Sequence, residues 1–145
     1  MQFQDPSKTI FYQIERAIKQ YRTMAQRNLN ELNIKVTINQ ILLMIQISDK
    51  PDISQVDLSK LLFKDVASIA RMIEILVQNK LIEREENSSD RRKKDLKITN
   101  KGKKLLNAAI PIISKNRETA QKDISEEEIK TLFRILNKIN KNTSK

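Results

Sequence analysis

The chain has 145 residues, enough for one domain with its own core, and carries 28 Lys and Arg against 18 Asp and Glu; the formal charge of +10 favours a polyanionic partner, nucleic acid before an anionic membrane surface. Cysteine and histidine are absent and Gly102 is the single glycine, which excludes disulfides, thiol redox chemistry, thiolate or imidazole metal sites, histidine-based triads and a glycine-rich phosphate loop. No apolar run approaches the roughly 20 residues of a membrane span, and MQFQDPSKTI has no signal-peptide core, so a cytoplasmic protein without membrane contact is expected.

Asp5-Pro6 opens the first helix, Asp as cap and Pro at the first helical position. Ile10, Ile14, Ala17, Tyr21, Met24, Ala25, Leu29 and Leu32 recur at helical spacing, which predicts a long helix over Ser7–Glu31. Its apolar stripe is longer than one small domain covers, so it either faces the core or is shared with a second subunit. Thr37 and Gln40 form a capping box, with Val36 and Ile41 as its hydrophobic staple. The helix Ile38–Ile47 is apolar nearly all round and belongs at the centre. A turn over Ser48–Asp52 follows, and Ile53 is in position to add a short strand to the hairpin further on.

Ser54 and Asp57 repeat the capping-box pattern and open a short helix through Leu62, with Val56, Leu58, Leu61 and Leu62 available to the core. Phe63-Lys64 is the turn, and Asp65 caps the helix Val66–Gln78. There Ile69, Met72, Ile73, Leu76 and Val77 form a buried stripe, and Ala67, Ser68, Arg71 and Glu74 the opposite face. Small and polar residues with one arginine suit close approach to base edges and phosphates. A plain amphipathic surface helix would carry the same pattern.

Leu81–Arg84 and Leu96–Ile98 read as two short strands joined through Asn87-Ser88-Ser89 and a cationic tip, Asp90-Arg91-Arg92-Lys93-Lys94. From Arg91 to Lys104 there are eight basic residues (Arg91, Arg92, Lys93, Lys94, Lys97, Lys101, Lys103 and Lys104) and one acid, Asp95. A solvated face is the bland explanation of such a run; a hairpin that projects it toward a polyanion is the sharper one. Thr99 then caps a helix from Asn100 carrying Leu105, Leu106, Ala109, Ile110, Ile112 and Ile113, with a kink or break expected between Asn107 and Pro111. Ser125 and Glu128 make a third capping box, followed by the stripe Ile129, Leu132, Phe133, Leu136 and Ile139; Asn140–Lys145 is expected to fray.

These residues resemble the MarR (multiple antibiotic resistance regulator) family of bacterial transcription factors. The match runs from about Leu58 to Gly102: Ser68, Ile69, Arg71 and Leu76 in the second motif helix and Leu81-Ile82-Glu83-Arg84 at the strand entry. Asp90-Arg91-Arg92, Leu96-Lys97-Ile98 and Thr99-Asn100-Lys101-Gly102 then follow the wing pattern. Two positions depart from the family pattern. Asn79-Lys80 stands where the family often has Gly after the recognition helix, and Asn79 can take the left-handed conformation. Phe63 stands where it often has Gly in the turn, and can anchor that turn against the core.

The resemblance implies a mainly α fold with a small β-wing: a single domain over 1–145, with a winged helix-turn-helix DNA-binding lobe over 35–100 and dimerisation helices over 5–34 and 101–140. It implies a homodimeric, sequence-specific regulator of double-stranded DNA, a repressor on an inverted-repeat operator. Ser54, Gln55, Lys64, Ala67, Ser68, Arg71, Arg91, Arg92, Lys93 and Lys94 would face DNA. Arg92 would enter a minor groove, and Asp90 would pair with a wing arginine to shape the tip. Ile10, Ile14, Ile112, Ile129, Leu132, Phe133 and Leu136 would hold the dimer. A small aromatic or lipophilic effector would meet Phe11, Tyr12, Tyr21 and Met44, residues that at helical spacing equally suit a core. The family's cysteine-based oxidant sensing does not carry over. No catalytic residue, metal or cofactor is expected, and no enzyme. The other reading is a winged-helix module that binds protein without sequence-specific DNA binding.

Overall fold

In a computed structural model, which describes residues 4–144, six helices surround a two-stranded hairpin. The helices are α1 Ile10–Glu31, α2 Ile38–Asp49, α3 Gln55–Leu62, α4 Val66–Gln78, α5 Asn100–Ala120 and α6 Glu126–Thr143; the strands are β1 Ile82–Glu86 and β2 Lys94–Ile98. The fold is thus mainly helical with a small antiparallel wing, as expected. Residues 1–3 of the amino-terminal segment and Lys145 of the carboxy-terminal tail lie outside the described residues.

The helix starts follow their caps. Asp5 caps only a 3-10 turn, Pro6–Lys8. Thr9 then takes an extended conformation and its hydroxyl accepts from the Tyr12 backbone, so α1 begins later than the expected Ser7. Full capping boxes form at Thr37–Gln40 and Ser125–Glu128. Ser54 accepts from the Asp57 backbone without a reciprocal bond, because the Asp side chain is one methylene shorter than the Glu or Gln of a full box. The α6 helix continues to Thr143, whose hydroxyl bonds back to the Ile139 carbonyl, so most of the expected fray is helical.

Leu29, Ile41, Leu43, Met44, Ile47, Leu58, Ile69, Ile73, Leu76 and Ile82 are fully buried and bring α2, α3, α4, β1 and the end of α1 onto one core. Val56 and Leu61 do not join them: both are half exposed, since a helix of two turns can press only its Leu58 and Leu62 face against α2 and α4. Ile53 is buried but forms no strand; the Pro51 carbonyl instead accepts from the Leu96 backbone at 3.1 Å. The expected break at Pro111 does not occur, and α5 runs through it. Asn107, whose carbonyl loses its helical donor to the proline, is exposed and open to water.

Gly102 explains how tightly the lobe closes. A Cβ there would collide with the Leu81 carbonyl and lie 2.8 Å from Ile98 Cγ2, so the first turn of α5 rests directly on the strand entry. Thr99 serves the same junction, accepting from the Gly102 backbone while its hydroxyl donates to the Lys80 carbonyl at 2.7 Å. Among the described residues no helix is long and apolar enough to cross a membrane.

Candidate nucleic-acid interface

The helix pair α3–α4 is set by its turn and its caps. Phe63 follows α3 with φ 53° and ψ 43°, and the Lys64 backbone closes the turn on the Ser59 carbonyl at 2.9 Å. The expected anchoring of this turn by Phe63 is overturned: its side chain is 88% exposed, because a left-handed residue at the helix end directs its Cβ away from the core. Asp65 then caps α4, accepting from the Ser68 backbone at 2.7 Å and the Ser68 hydroxyl at 3.0 Å. These bonds, the backbone one foremost, hold the Asp65 carboxyl below its usual range.

The far end of α4 closes in a Schellman motif. The backbone of Lys80 donates to the Val77 carbonyl and that of Leu81 to the Leu76 carbonyl, both at 2.9 Å. Lys80, at φ 58°, takes the left-handed position expected for Asn79, which stays right-handed at φ −80°. The register is decided by burial, since it places Leu81 in the core beside Leu76. The Lys101 ammonium donates to the free Asn79 carbonyl at 3.0 Å, where positive charge suits a helix carboxy-terminus.

The wing pairs Ile82 with Ile98, Arg84 with Leu96 and Glu86 with Lys94. Ile82, Ile98 and Leu96 face the core, and Arg84 on the same face reaches Glu74 of α4 at 3.0 Å. On the outer face Lys97 meets Glu85 at 3.0 Å, and hydrogen bonding with that carboxylate raises the ammonium above its usual range. Lys94, expected in the tip, is the first residue of β2, so both strands are longer than alternation suggested. The inner positions of the added turn are charged, which hides them from a hydrophobic pattern.

Asn87 organises the tip. Its side-chain oxygen accepts from the backbones of Ser89 and Asp90, and its amide donates to Asp95 at 2.9 Å. Asp90 does shape the tip, yet it does so by accepting from the Arg92 backbone at 3.0 Å; no ion pair joins it to an arginine among the described residues. A short aspartate side chain meets the backbone two residues on more readily than a mobile guanidinium. Arg91, Arg92, Lys93 and Lys94 are exposed and make no ion pair among the described residues, and the same is true of Arg71 on the outer face of α4. Ala67, Lys64, Ser54 and Gln55 are exposed on the same helix pair, while the Ser68 hydroxyl is partly committed to Asp65. Sequence alone shows neither the Glu74–Arg84 pair nor the bonds by which Asn87 holds the tip; only an asparagine opening a turn hints at the latter.

The chain ends form a second surface. No residue of α6 is buried; Leu132 and Phe133 are 54% and 65% exposed, and Ile129 and Leu136 half-buried. Ile10 and Ile14 of α1 are exposed as well, whereas Ile112 packs against the core. Of the residues considered for an effector, Met44 is fully buried within the core, and Phe11 and Tyr12 stand exposed near the start of α1. Tyr21 alone lines a cavity of about 130 Å³ between α1, α2 and α5, with Ile18, Ala25, Leu42, Ile113, Arg22 and Arg117. Ile38 and Asn116 also line it; the Asn116 oxygen accepts from the Asn28 amide, and its own buried amide nitrogen has no partner among the described residues. No group of three or more carboxylates converges on a metal-sized site among the described residues.

The family model described as MarR family matches residues 36–94. The chain is 30% identical over 129 residues to the transcriptional regulator HosA of Escherichia coli, an overlap of 89% of this chain and 93% of that protein. It is similar in structure to MepR of S. aureus in its complex with DNA, at TM-score 0.83 and 21% identity over 97% of this chain and 100% of that one. It is also similar to Bordetella bronchiseptica BpsR, whose DNA binding 6-hydroxynicotinic acid regulates, at TM-score 0.81 and 22% identity over 96% and 98% of the two chains.

Proposed function

Because this chain belongs to the MarR family of transcriptional regulators, we propose that it represses transcription by binding an inverted-repeat operator as a homodimer. Residues 35–100 serve as the DNA-binding lobe, and residues 5–34 and 101–140 as the dimerisation helices. One observation carries the reading. Arg71, Arg91, Arg92, Lys93 and Lys94 carry no ion pair among the described residues, while most of the acids around them are occupied: Asp65 by Ser68, Glu74 by Arg84, Glu85 by Lys97, Asp90 by the Arg92 backbone and Asp95 by Asn87, with Glu83 and Glu86 of β1 exposed and unpaired among the described residues. The cations are left to an external anion, and a duplex supplies a regular array of them.

In this reading Ala67, Ser68 and Arg71 meet base edges in the major groove, with Ser54, Gln55 and Lys64 toward flanking phosphates. Arg92 enters the minor groove, where guanidinium charge is favoured by a narrow A·T tract; Arg91, Lys93 and Lys94 add sequence-blind attraction. The apolar faces of α1 and α6 close on a twofold mate, and that symmetry sets half-sites about one helical turn apart. Occupancy of an operator that overlaps a promoter suffices for repression. A small aromatic effector would enter beside Tyr21, where the unpaired Asn116 amide offers a donor, and would release the DNA; the DNA binding of BpsR is regulated by 6-hydroxynicotinic acid, a molecule of that class.

The test is selection from random-sequence duplexes, followed by salt-titrated anisotropy on the enriched and a scrambled duplex, with sedimentation at low micromolar concentration. An enriched inverted repeat and a dimer are expected, with Leu132→Asp and Leu136→Asp giving monomers. Wild-type protein that retains no duplex at low salt would leave the protein-binding module as the reading.

A further inference from the structure

Three helix ends among the described residues close on a left-handed residue that is not glycine, Asn33, Phe63 and Lys80, and Asp123 takes the same conformation in the connection from α5 to α6. Asn and Asp tolerate this conformation through local hydrogen bonding, whereas a bulky aromatic is poorly suited to it. Burial of the ring would offset that cost. Phe63 gains nothing of that kind, since it is 88% exposed, more than any other large apolar side chain described. The backbone bonds of the turn, Lys64 to the Ser59 carbonyl and Phe63 to the Lys60 carbonyl, need no side chain at all. The aromatic ring therefore has no use within the chain.

Its position says what it can meet. Phe63 lies two residues before the Asp65 cap of α4, and Val66, 43% exposed, and exposed Ala67 come directly after that cap. These apolar groups belong to the turn and the amino-terminal end of the helix assigned to the major groove, and exposed Lys60 and Lys64 flank Phe63 along the chain. A cation-flanked apolar patch that continues a DNA-facing helix fits a surface that is anionic at its edges and apolar at one point. In the major groove that point is the C5-methyl group of thymine.

We propose that Phe63 contacts DNA and, with Val66 and Ala67, selects thymine in each half-site through its methyl group. The proposal rests on the DNA-binding reading above and adds a base preference to it. Phe63→Gly removes the ring and relieves the left-handed backbone, and Phe63→Asn does the same with a residue that also accepts that conformation.

Both variants are compared with wild type for Tm, for the sequence they enrich from random duplexes, and for affinity to the wild-type-enriched duplex with deoxyuridine in place of thymidine. Both should melt at or above the wild-type Tm, bind the enriched duplex about tenfold more weakly, and enrich sites without the thymine preference. Deoxyuridine should weaken wild type and leave the variants unaffected. Arg92→Ala should weaken binding yet keep the deoxyuridine effect, which separates this contact from the wing. Equal affinity of variants and wild type, an unchanged enriched site, or a marked fall in Tm would each overturn the proposal. Wild type that binds no duplex would overturn the DNA-binding reading first, and the proposal with it.

Discussion

Arg84 on β1 and Glu74 on α4 meet guanidinium to carboxylate at 3.0 Å, tying the wing to the recognition helix. The pair lies on the core-facing side of the hairpin, just beyond the last buried rung, where Arg84 stands opposite Leu96. It joins the two elements that a duplex would engage together, and so constrains the angle between them.

The two side chains are 40% and 53% exposed, so the pair contributes little to global stability. Arg84→Ala should lower the unfolding free energy by at most about 1 kcal/mol in urea titration. The larger effect should be local, as faster amide exchange through β1. A drop of several kcal/mol would show that the pair acts as more than a surface contact.

The tip cations should separate by type. Lys93→Ala should weaken binding to enriched and scrambled duplexes alike and reduce the salt slope by roughly 0.9 for each phosphate that the variant no longer neutralises. Arg92→Ala should cost about 1–3 kcal/mol on the enriched duplex and relax preference in its A·T-rich flanks. Anisotropy across a salt series reads both; unchanged binding by the two variants would remove the wing from the DNA interface.

Gly102→Ala sets helix propensity against packing. Alanine in a helix interior is favoured over glycine by about 1 kcal/mol, but the new Cβ would strike the Leu81 carbonyl and crowd Ile98. Neither is the far end of a flexible chain, so packing should win, with a net destabilisation of about 1–3 kcal/mol in chemical denaturation. A stabilised variant would mean that α5 can lift from the strand entry at no cost.

Asp65 gives a pH test at the start of α4. Hydrogen bonds from Ser68 depress its folded pKa below the ordinary 3.8, so its contribution is present above that value and disappears as pH falls through the lower folded one. Asp65→Asn keeps a capping oxygen without the titration. The variant should therefore show a shallower stability decline below pH 3.8 than wild type in acid-titrated thermal melts. Identical acid limbs would mean that the cap does not titrate with folding.

The local features of this protein were legible in its residues. Thr37, Ser54, Asp65, Thr99 and Ser125 each cap the helix that they were expected to cap, because the capping oxygen and the backbone donors it meets lie within three residues. The wing could be located from Leu96 and Ile98, and the resemblance around Asp90-Arg91-Arg92 pointed to the family. Tertiary structure decided what depends on distant neighbours. Burial of Leu81 beside Leu76 gave the left-handed position to Lys80 instead of Asn79. The two-turn length of α3 left Val56 and Leu61 outside, and the close approach of Leu81 and Ile98 explains a glycine at 102 that no turn requires. The fate of Met44 and Phe63 separates the two cases most clearly. Met44 suits either the core or an effector site and Phe63 is expected to anchor its turn against the core; the packing of α2 buried the first, and the handedness of the turn sent the second out to solvent. Helical spacing records which residues share a face, while the partner that covers that face is set by chain segments tens of residues away.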